Sequence, residues 1–413
     1  MLKHIKANPL PVVIFTVFLD LVGFGILIPV IPQLLANPHS EFYLLPSGMT
    51  PSQGYIMLGF LVAIFPFMQF IATPILGQLS DKFGRKKILA ISLIGTLFSY
   101  LIFALGIITK NIPLLFLSRG FDGITGGNIS VAQAAIADVT TPQNRTKAFG
   151  LIGAAFGFGF IIGPYIGGKL SDPSLVSWFN AATPFWFAAI LSAINITLVL
   201  LFFPETNMHI QHNLKINWVK SIKNIIHAYN LPKLRPLFFV NFLFQGGFSF
   251  YTTFAAVFLI NRFHFTQGNI GDFFAYAGMW IAITQGLLTR KISSKFSEMK
   301  VLRFTLFFCG VVLLCYFLPQ VWWQLLFIVP FFAMNMGLSQ ANMAGLISRL
   351  ADKEIQGEVL GINFSVQALA QSIPAAASGF IAAQMGPNTP VVVSATIMIF
   401  AAMVFWYSFE KSS

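Results

Sequence analysis

The sequence predicts an all-α membrane protein, with twelve transmembrane helices in two pseudo-symmetric six-helix bundles. Three observations predict it. The chain is 56% hydrophobic and 9% charged, where a soluble domain carries roughly 25% charged residues. Its apolar residues fall in separated blocks of about 18–25, the length that crosses a hydrocarbon core of about 30 Å. Sequence features of the first six blocks recur in the last six. Backbone groups in lipid must pair internally, so each continuous block is a helix.

The expected spans are 11–34, 53–75, 88–108, 113–137, 148–168 and 184–203, then 237–260, 271–289, 301–318, 322–347, 358–384 and 389–409. The segment 204–236 is the longest polar stretch and separates a first bundle, 1–203, from a second, 237–413. Within this linker, Asn217 to Ile226 mixes apolar and basic residues at helical spacing, as expected of a short helix lying on the cytoplasmic membrane surface. Lys3 and Lys6 precede the first block, and no small-residue cleavage site follows it, so it is expected as a retained helix instead of a signal peptide. Cys309 and Cys315 share one apolar block and form no disulfide framework.

The formal charge is +12, but its placement matters more than its size. With the N-terminus in the cytoplasm and sides alternating, 21 of the 25 Lys and Arg lie on the cytoplasmic side. Lys110, Lys169 and Arg262 lie outside, and Arg119 lies within a span. The positive-inside rule therefore places both termini in the cytoplasm. The expected location is a cytoplasmic (inner) membrane.

The halves repeat. Leu79 to Leu89 aligns with Ile292 to Leu302 at an offset of 213 residues. The segment ending at Gly150 aligns with the one ending at Gly361 at an offset of 211. Parallel repeats of this kind are expected to pack as two like bundles with an interface between them.

Chemistry-bearing residues are few. Only Asp20, Arg119 and Asp122 are charged and deep in spans. Each costs at least about 2.5 kcal/mol at the bilayer centre, which makes it a functional candidate. At 1.5 Å per residue, Asp20 lies roughly 13 Å in from the cytoplasm and Arg119 roughly 9 Å in from outside, with Asp122 a turn deeper. The two acids thus share a slab of membrane, and Arg119 and Asp122 share a helix face. Two functions remain open. Burial favours a protonated carboxyl and a nearby guanidinium an ionised one, so the cluster can switch protons. Equally, a buried ion pair can serve only to fix one helix against another.

Three segments carry a family resemblance. The loop Gly77-Gln78-Leu79-Ser80-Asp81-Lys82-Phe83-Gly84-Arg85-Lys86-Lys87 resembles the signature between helices two and three of the major facilitator superfamily. The fifth span, with Gly153, Gly157, Gly159, Gly163-Pro164 and Gly167-Gly168, resembles the superfamily's antiporter motif. Glycines at four-residue spacing also make a flat face for plain helix packing. Leu19 to Pro32 in the first span and Phe203-Pro204-Glu205-Thr206 after the sixth resemble the drug:proton antiporter branch, most of all the tetracycline-resistance exporters.

This resemblance implies a proton-coupled exporter of a lipophilic or cationic small molecule working by alternating access. It implies Asp20 as first proton carrier and Asp122 as second. It implies that Asp81 meets the start of the eleventh helix and that Arg85 pairs with Asp138. Together these would latch the halves in the outward-facing state, with Gly77 and Gly84 as turn residues. The second-half copy has Ser294, Ser297 and Glu298 instead, so the latch is expected on one side only. The substrate cavity is expected to use Asn128, Gln133, Gln245, Asn335, Gln340 and Asn342, with Phe242, Phe244, Phe248 and Phe250 available for stacking. The resemblance also departs. Tetracycline exporters carry acids on helices three and nine and a histidine on helix eight, where this chain has Ser99, Cys309 and Ile281. That argues against a metal-chelated tetracycline.

The expected partners are the lipid bilayer, a small-molecule substrate and protons, with the chain acting as a monomer; sodium in place of protons stays open. No nucleic-acid partner, cofactor or resident metal is expected. The chain shows no nucleophile motif, metal-ligand cluster or phosphate loop, which argues against an enzyme or an ATP-driven pump. Two other functions stay open: export of an endogenous amphiphile such as a siderophore or lipid precursor, and a non-transporting membrane sensor or scaffold.

Overall fold

The computed structural model of the protein describes residues 9–140, 142–208, 210–211, 213–351 and 356–409. Side chains at 142–150, 152–154, 156, 293, 356 and 357 lie outside that description. Lys3 and Lys6 therefore fall outside it, as do the surroundings of Gly150 and Gly153.

The first half builds α1 (Leu10–Leu35), α2 (Pro51–Phe83), α3 (Arg85–Ile108), α4 (Ile112–Thr125), α5 (Asn128–Val139), α6 (Pro142–Leu170) and α7 (Thr183–Phe202). The connecting segment carries α8 (Lys220–Tyr229). The second half builds α9 (Arg235–Phe263), α10 (Gln267–Ile283), α11 (Thr289–Ser293), α12 (Glu298–Leu314), α13 (Trp322–Leu350), α14 (Gln356–Met385) and α15 (Thr389–Phe409). Among the described residues, nine helices are long and apolar enough to cross a membrane. The fifth span is α6. The fourth is split into α4 and α5 at Gly126-Gly127, and the eighth into α10 and α11 by a π-helical turn at Thr284–Leu288. Together they make the twelve spans expected.

Local chemistry sets the ends. Thr50 and Gln53 form a capping box at the start of α2, with Pro51 in its first turn. Asn111 caps α4, Thr266 and Asn269 cap α10, and Ser297 caps α12. Gly84 ends α2 at φ +95°, a conformation that favours glycine.

Exposed large side chains coat the outside. Trp178, Trp322 and Trp323 ring the end that carries the α1–α2 loop, and Trp218, Tyr229 and Tyr407 ring the other. Amphipathic rings at both ends are the signature of membrane interfaces.

The halves meet along α2 with α14 and α6 with α10. These contacts are tight at the end that carries the α1–α2 loop. A Cβ on Gly59 would stand 2.7 Å from the Ala375 carbonyl, and one on Gly271 2.6 Å from the Pro164 carbonyl. Lys169 on α6 pairs with Asp272 on α10 at 2.8 Å. Tyr55 packs edge-on against Phe254, with ring centroids 6.1 Å apart. Toward the opposite end the facing helices part: among the described residues, and apart from each glycine's own helix, no atom lies within 4 Å of where Gly286, Gly345 or Gly361 would carry a Cβ. The molecule is thus shut at one end of the interface and spread at the other. There α8 crosses from one half to the other, with Ser221 Oγ donating to the Ile71 carbonyl and Asn224 Nδ2 donating to Ser365 Oγ.

Candidate functional site

Between the halves lies a cavity of about 370 Å³. One wall comes from the first half. Asp20 and Phe24 on α1, Phe65 and Gln69 on α2, Thr96 and Tyr100 on α3, Asp122 on α4 and Asn128 on α5 face it. The other comes from Asn241, Gln245 and Phe248 on α9, Gln285 in the π turn, Gln340 on α13, and Asn363, Gln367 and Gln371 on α14. Phe24 packs against both Phe65 and Phe160, with ring centroids 5.9 and 6.2 Å apart, so the floor is aromatic.

The three deep charges separate into two units. Arg119 Nη1 meets Asp122 Oδ2 at 2.7 Å, and its guanidinium lies 4.4 Å from the Phe65 ring centroid. Arg119 is 4% exposed, and among the described residues its Nε has no hydrogen-bond partner. Asp20 has a partner outside that pair. Asp20 Oδ2 accepts from Asn128 Nδ2 at 2.8 Å. The reason is the break in the fourth span. Ending α4 at Thr125 and restarting at Asn128 turns the Asn128 amide toward α1. The break is held by α2: Gln69 Nε2 donates to the Gly126 carbonyl at 2.9 Å, and Ser130 Oγ donates to the Thr73 carbonyl at 3.0 Å. Irregular backbone at membrane depth is tolerated where protein or a cavity satisfies it.

Of the expected cavity residues, Asn128, Gln245 and Gln340 line it. Gln133, Asn335 and Asn342 do not; the amides of Asn335 and Asn342 bond the carbonyls one turn earlier, at Phe331 and Leu338. Of the four phenylalanines on α9, Phe248 faces the cavity, while Phe244 is buried in the second-half core. Sequence reasoning missed Gln285, Asn363, Gln367 and Gln371. The last three stand four apart in an apolar span, a polar stripe on one helix face that could have been read.

The glycines of α6 serve two partners. Gly159, Gly163 and Gly167 press on α1: a Cβ on Gly163 would stand 2.8 Å from Gly25 Cα. Gly168 presses on α10, 2.5 Å from the Gln267 carbonyl on the same measure. Gly157 lines the cavity.

At the spread end, Asp81 Oδ1 pairs with Arg85 Nη1 at 2.6 Å and Arg85 Nε reaches Asp138 Oδ2 at 3.1 Å. Asp81 is thus engaged within its own half. Gly77 contributes its carbonyl to Ser80 Oγ, which in turn accepts from Arg85 Nη1. Glu205 completes the knot: its carboxylate accepts from the backbone N–H groups of Arg85 and Lys86 at 2.8 and 3.2 Å, capping α3. The second half is not devoid of such a pair. Glu298 stands 213 residues after Arg85 and Arg349 stands 211 after Asp138, the offsets of the repeat. Arg349 Nη1 meets Glu298 Oε2 at 3.0 Å. The ion pair recurs in the second half with its charges exchanged.

Residues 13–375 match the Major Facilitator Superfamily. The class H tetracycline resistance protein of Pasteurella multocida is 32% identical over 85% of this chain and 83% of its own length. Multidrug resistance protein 2 of Bacillus subtilis is 28% identical over 94% of this chain and 92% of its own. The crystal structure of the human organic anion transporter MFSD10 superposes with a TM-score of 0.73 at 21% identity, covering 96% of this chain and 98% of that one.

Proposed function

The chain belongs to the Major Facilitator Superfamily, and we propose that it exports a lipophilic or cationic small molecule across a cytoplasmic membrane in exchange for protons. One observation carries this: two carboxylates, Asp20 and Asp122, face a cavity between the halves that is shut at one end. Relatives named for multidrug and tetracycline resistance support efflux. The positions where tetracycline exporters hold charged or imidazole groups argue against a metal-chelated tetracycline. Ser99 bonds the Ser118 carbonyl, Cys309 is buried in the second-half core, and Ile281 presents a hydrocarbon to the cavity.

Asp20 is the proton carrier in this scheme. Ionised, it is held by Asn128 and can receive a cation. Protonated, it loses that attraction, so proton and substrate compete for one site, and competition is what exchange requires. Asp122 contributes charge to the same cavity and is anchored by Arg119. The positive-inside arrangement puts the Asp81–Arg85 loop and α8 in the cytoplasm, so the cavity opens inward here. The segments 1–203 and 237–413 are the rocking bodies, tethered by 204–236, and a monomer suffices because both walls come from one chain. In the outward-facing state the ends exchange roles: the glycine contacts of α6 with α10 part, and Asp81, Gly84 and Arg85 approach the second half.

The test uses purified protein in liposomes with an imposed pH gradient and an internal pH dye. Adding tetraphenylphosphonium should collapse the gradient with the native protein and not with Asp20→Asn. Full coupled transport by Asp20→Asn would refute the assignment of the carrier.

A further inference from the structure

Five glutamines line the second-half wall of the cavity: Gln245, Gln285, Gln340, Gln367 and Gln371. They come from α9, the π turn, α13 and α14, so four separate stretches of chain converge on one wall. Among the described residues, other carboxamides at the cavity are engaged inside the protein: Gln69 bonds Gly126, Asn128 bonds Asp20, and Asn241 Nδ2 donates to Asn363 Oδ1 at 2.8 Å. The five glutamine side chains make no hydrogen bond of this kind. None of their atoms is among the buried side-chain atoms without a partner, so each is open to the cavity.

An uncommitted polar group at membrane depth is costly unless water or a ligand meets it. A pocket that takes only lipophilic cations needs aromatic faces and a carboxylate, both supplied by the first-half wall. It has no use for five carboxamides. A carboxamide is uncharged, donates two hydrogen bonds and accepts two, so it adds little to holding a cation but matches hydroxyls, carbonyls and amides. The π turn strengthens the argument. Such turns are rare and concentrate at functional sites; this one carries Gln285 into the cavity, with the Thr284 hydroxyl donating to the Trp280 carbonyl on α10 and the Thr289 hydroxyl to the Thr284 carbonyl.

We propose that the second-half wall is a hydrogen-bonding subsite, which selects substrates whose cationic end is joined to an uncharged, hydroxyl- and carbonyl-rich ring system. The cation faces Asp20 and Asp122 and the oxygen-rich edge faces Gln245, Gln285, Gln340, Gln367 and Gln371. The assignment rests on the exporter function proposed above and adds the residues that choose among substrates.

The test compares two probes on the purified protein in nanodiscs. Daunorubicin carries an amine sugar and a quinone ring system rich in hydroxyls and carbonyls; tetraphenylphosphonium carries charge and rings alone. The native protein should bind daunorubicin more tightly. Replacing Gln340 and Gln367 together with methionine, which keeps volume, should lower the daunorubicin-to-tetraphenylphosphonium affinity ratio roughly four- to a hundredfold, since each neutral hydrogen bond contributes a factor of about two to ten. Asp20→Asn should weaken both probes and leave the ratio within about threefold. Gln371→Met alone is the second variant, in case the double one fails to fold, with about a threefold fall expected. An unchanged ratio, or equal loss of both probes in the glutamine variants, overturns the subsite. If that happens while tetraphenylphosphonium still moves protons in liposomes, the exporter function stands without it. If neither probe binds or moves protons, both proposals fall.

Discussion

The buried pair Arg119–Asp122 has unequal surroundings, and the two residues should therefore respond unequally to removal. Asp122 faces the cavity and Arg119 does not. Asp122→Ala leaves a guanidinium enclosed beneath Phe65 with no counter-ion, at a cost of about 3–5 kcal/mol. Arg119→Ala leaves a carboxylate that cavity water or a proton can satisfy, and should cost less. Thermal unfolding in detergent should thus fall further for Asp122→Ala, and the double variant Arg119→Met with Asp122→Leu should recover part of the loss. A larger loss for Arg119→Ala would mean that Asp122, not Arg119, is the group sealed from water. Both residues were legible in the sequence, because charge in an apolar block is conspicuous. Their partners were not. Asn128 reaches Asp20 only because the helix breaks two residues earlier, and hydropathy runs on through that break without a sign.

At the scale of elements, hydropathy placed the long helices and missed what interrupts them. Gly126 and Gly127 were visible as glycines, but glycine in a membrane span signals close packing as often as a break. The π turn at Thr284–Leu288 had no local signature, since its extra residue is accommodated by packing against Gly337 and by two threonine hydroxyls. Glu205 was read as part of a family motif, and its physical task emerges only from the fold. It lies in the polar segment after α7 yet supplies the acceptors that α3 lacks at its start, because Gly84 carries no side chain. A Cβ on Gly84 would collide with the Glu205 carboxylate, which explains glycine there beyond its positive φ. Glu205→Ala should therefore free the first turn of α3. We expect about 1–2 kcal/mol of destabilisation and faster amide exchange at the three N–H groups that donate to this carboxylate, those of Arg85, Lys86 and Asn207. Unchanged exchange at those three positions would remove Glu205 as the cap.

For the whole molecule, the question is what holds one end of the interface shut. Two kinds of contact compete for that role. The Lys169–Asp272 pair crosses from α6 to α10, but its side chains are 30% and 48% exposed. An exposed pair contributes about 0.2–1 kcal/mol, which shifts a two-state balance by at most about fivefold. The glycine contacts are of another order. At Gly168 and Gly271 the facing backbones approach so closely that any side chain must push them apart, and overpacking costs about 1–3 kcal/mol, a factor of roughly five to a hundred or more. That strain falls on the shut state alone. Gly271→Val should therefore open this end far more than Lys169→Ala does. With Cys309 and Cys315 replaced by serine, a single cysteine at Phe160, beside the closure and lining the cavity, reports it through labelling by an impermeant maleimide added on the side of the α1–α2 loop. Labelling should be slow in the native background, rise less than about fivefold with Lys169→Ala, and rise at least about fivefold with Gly271→Val. The reverse order would make the ion pair the closure, and salt should then open the transporter; with the order expected, high salt should leave the labelling rate nearly unchanged, because backbone contact is not screened.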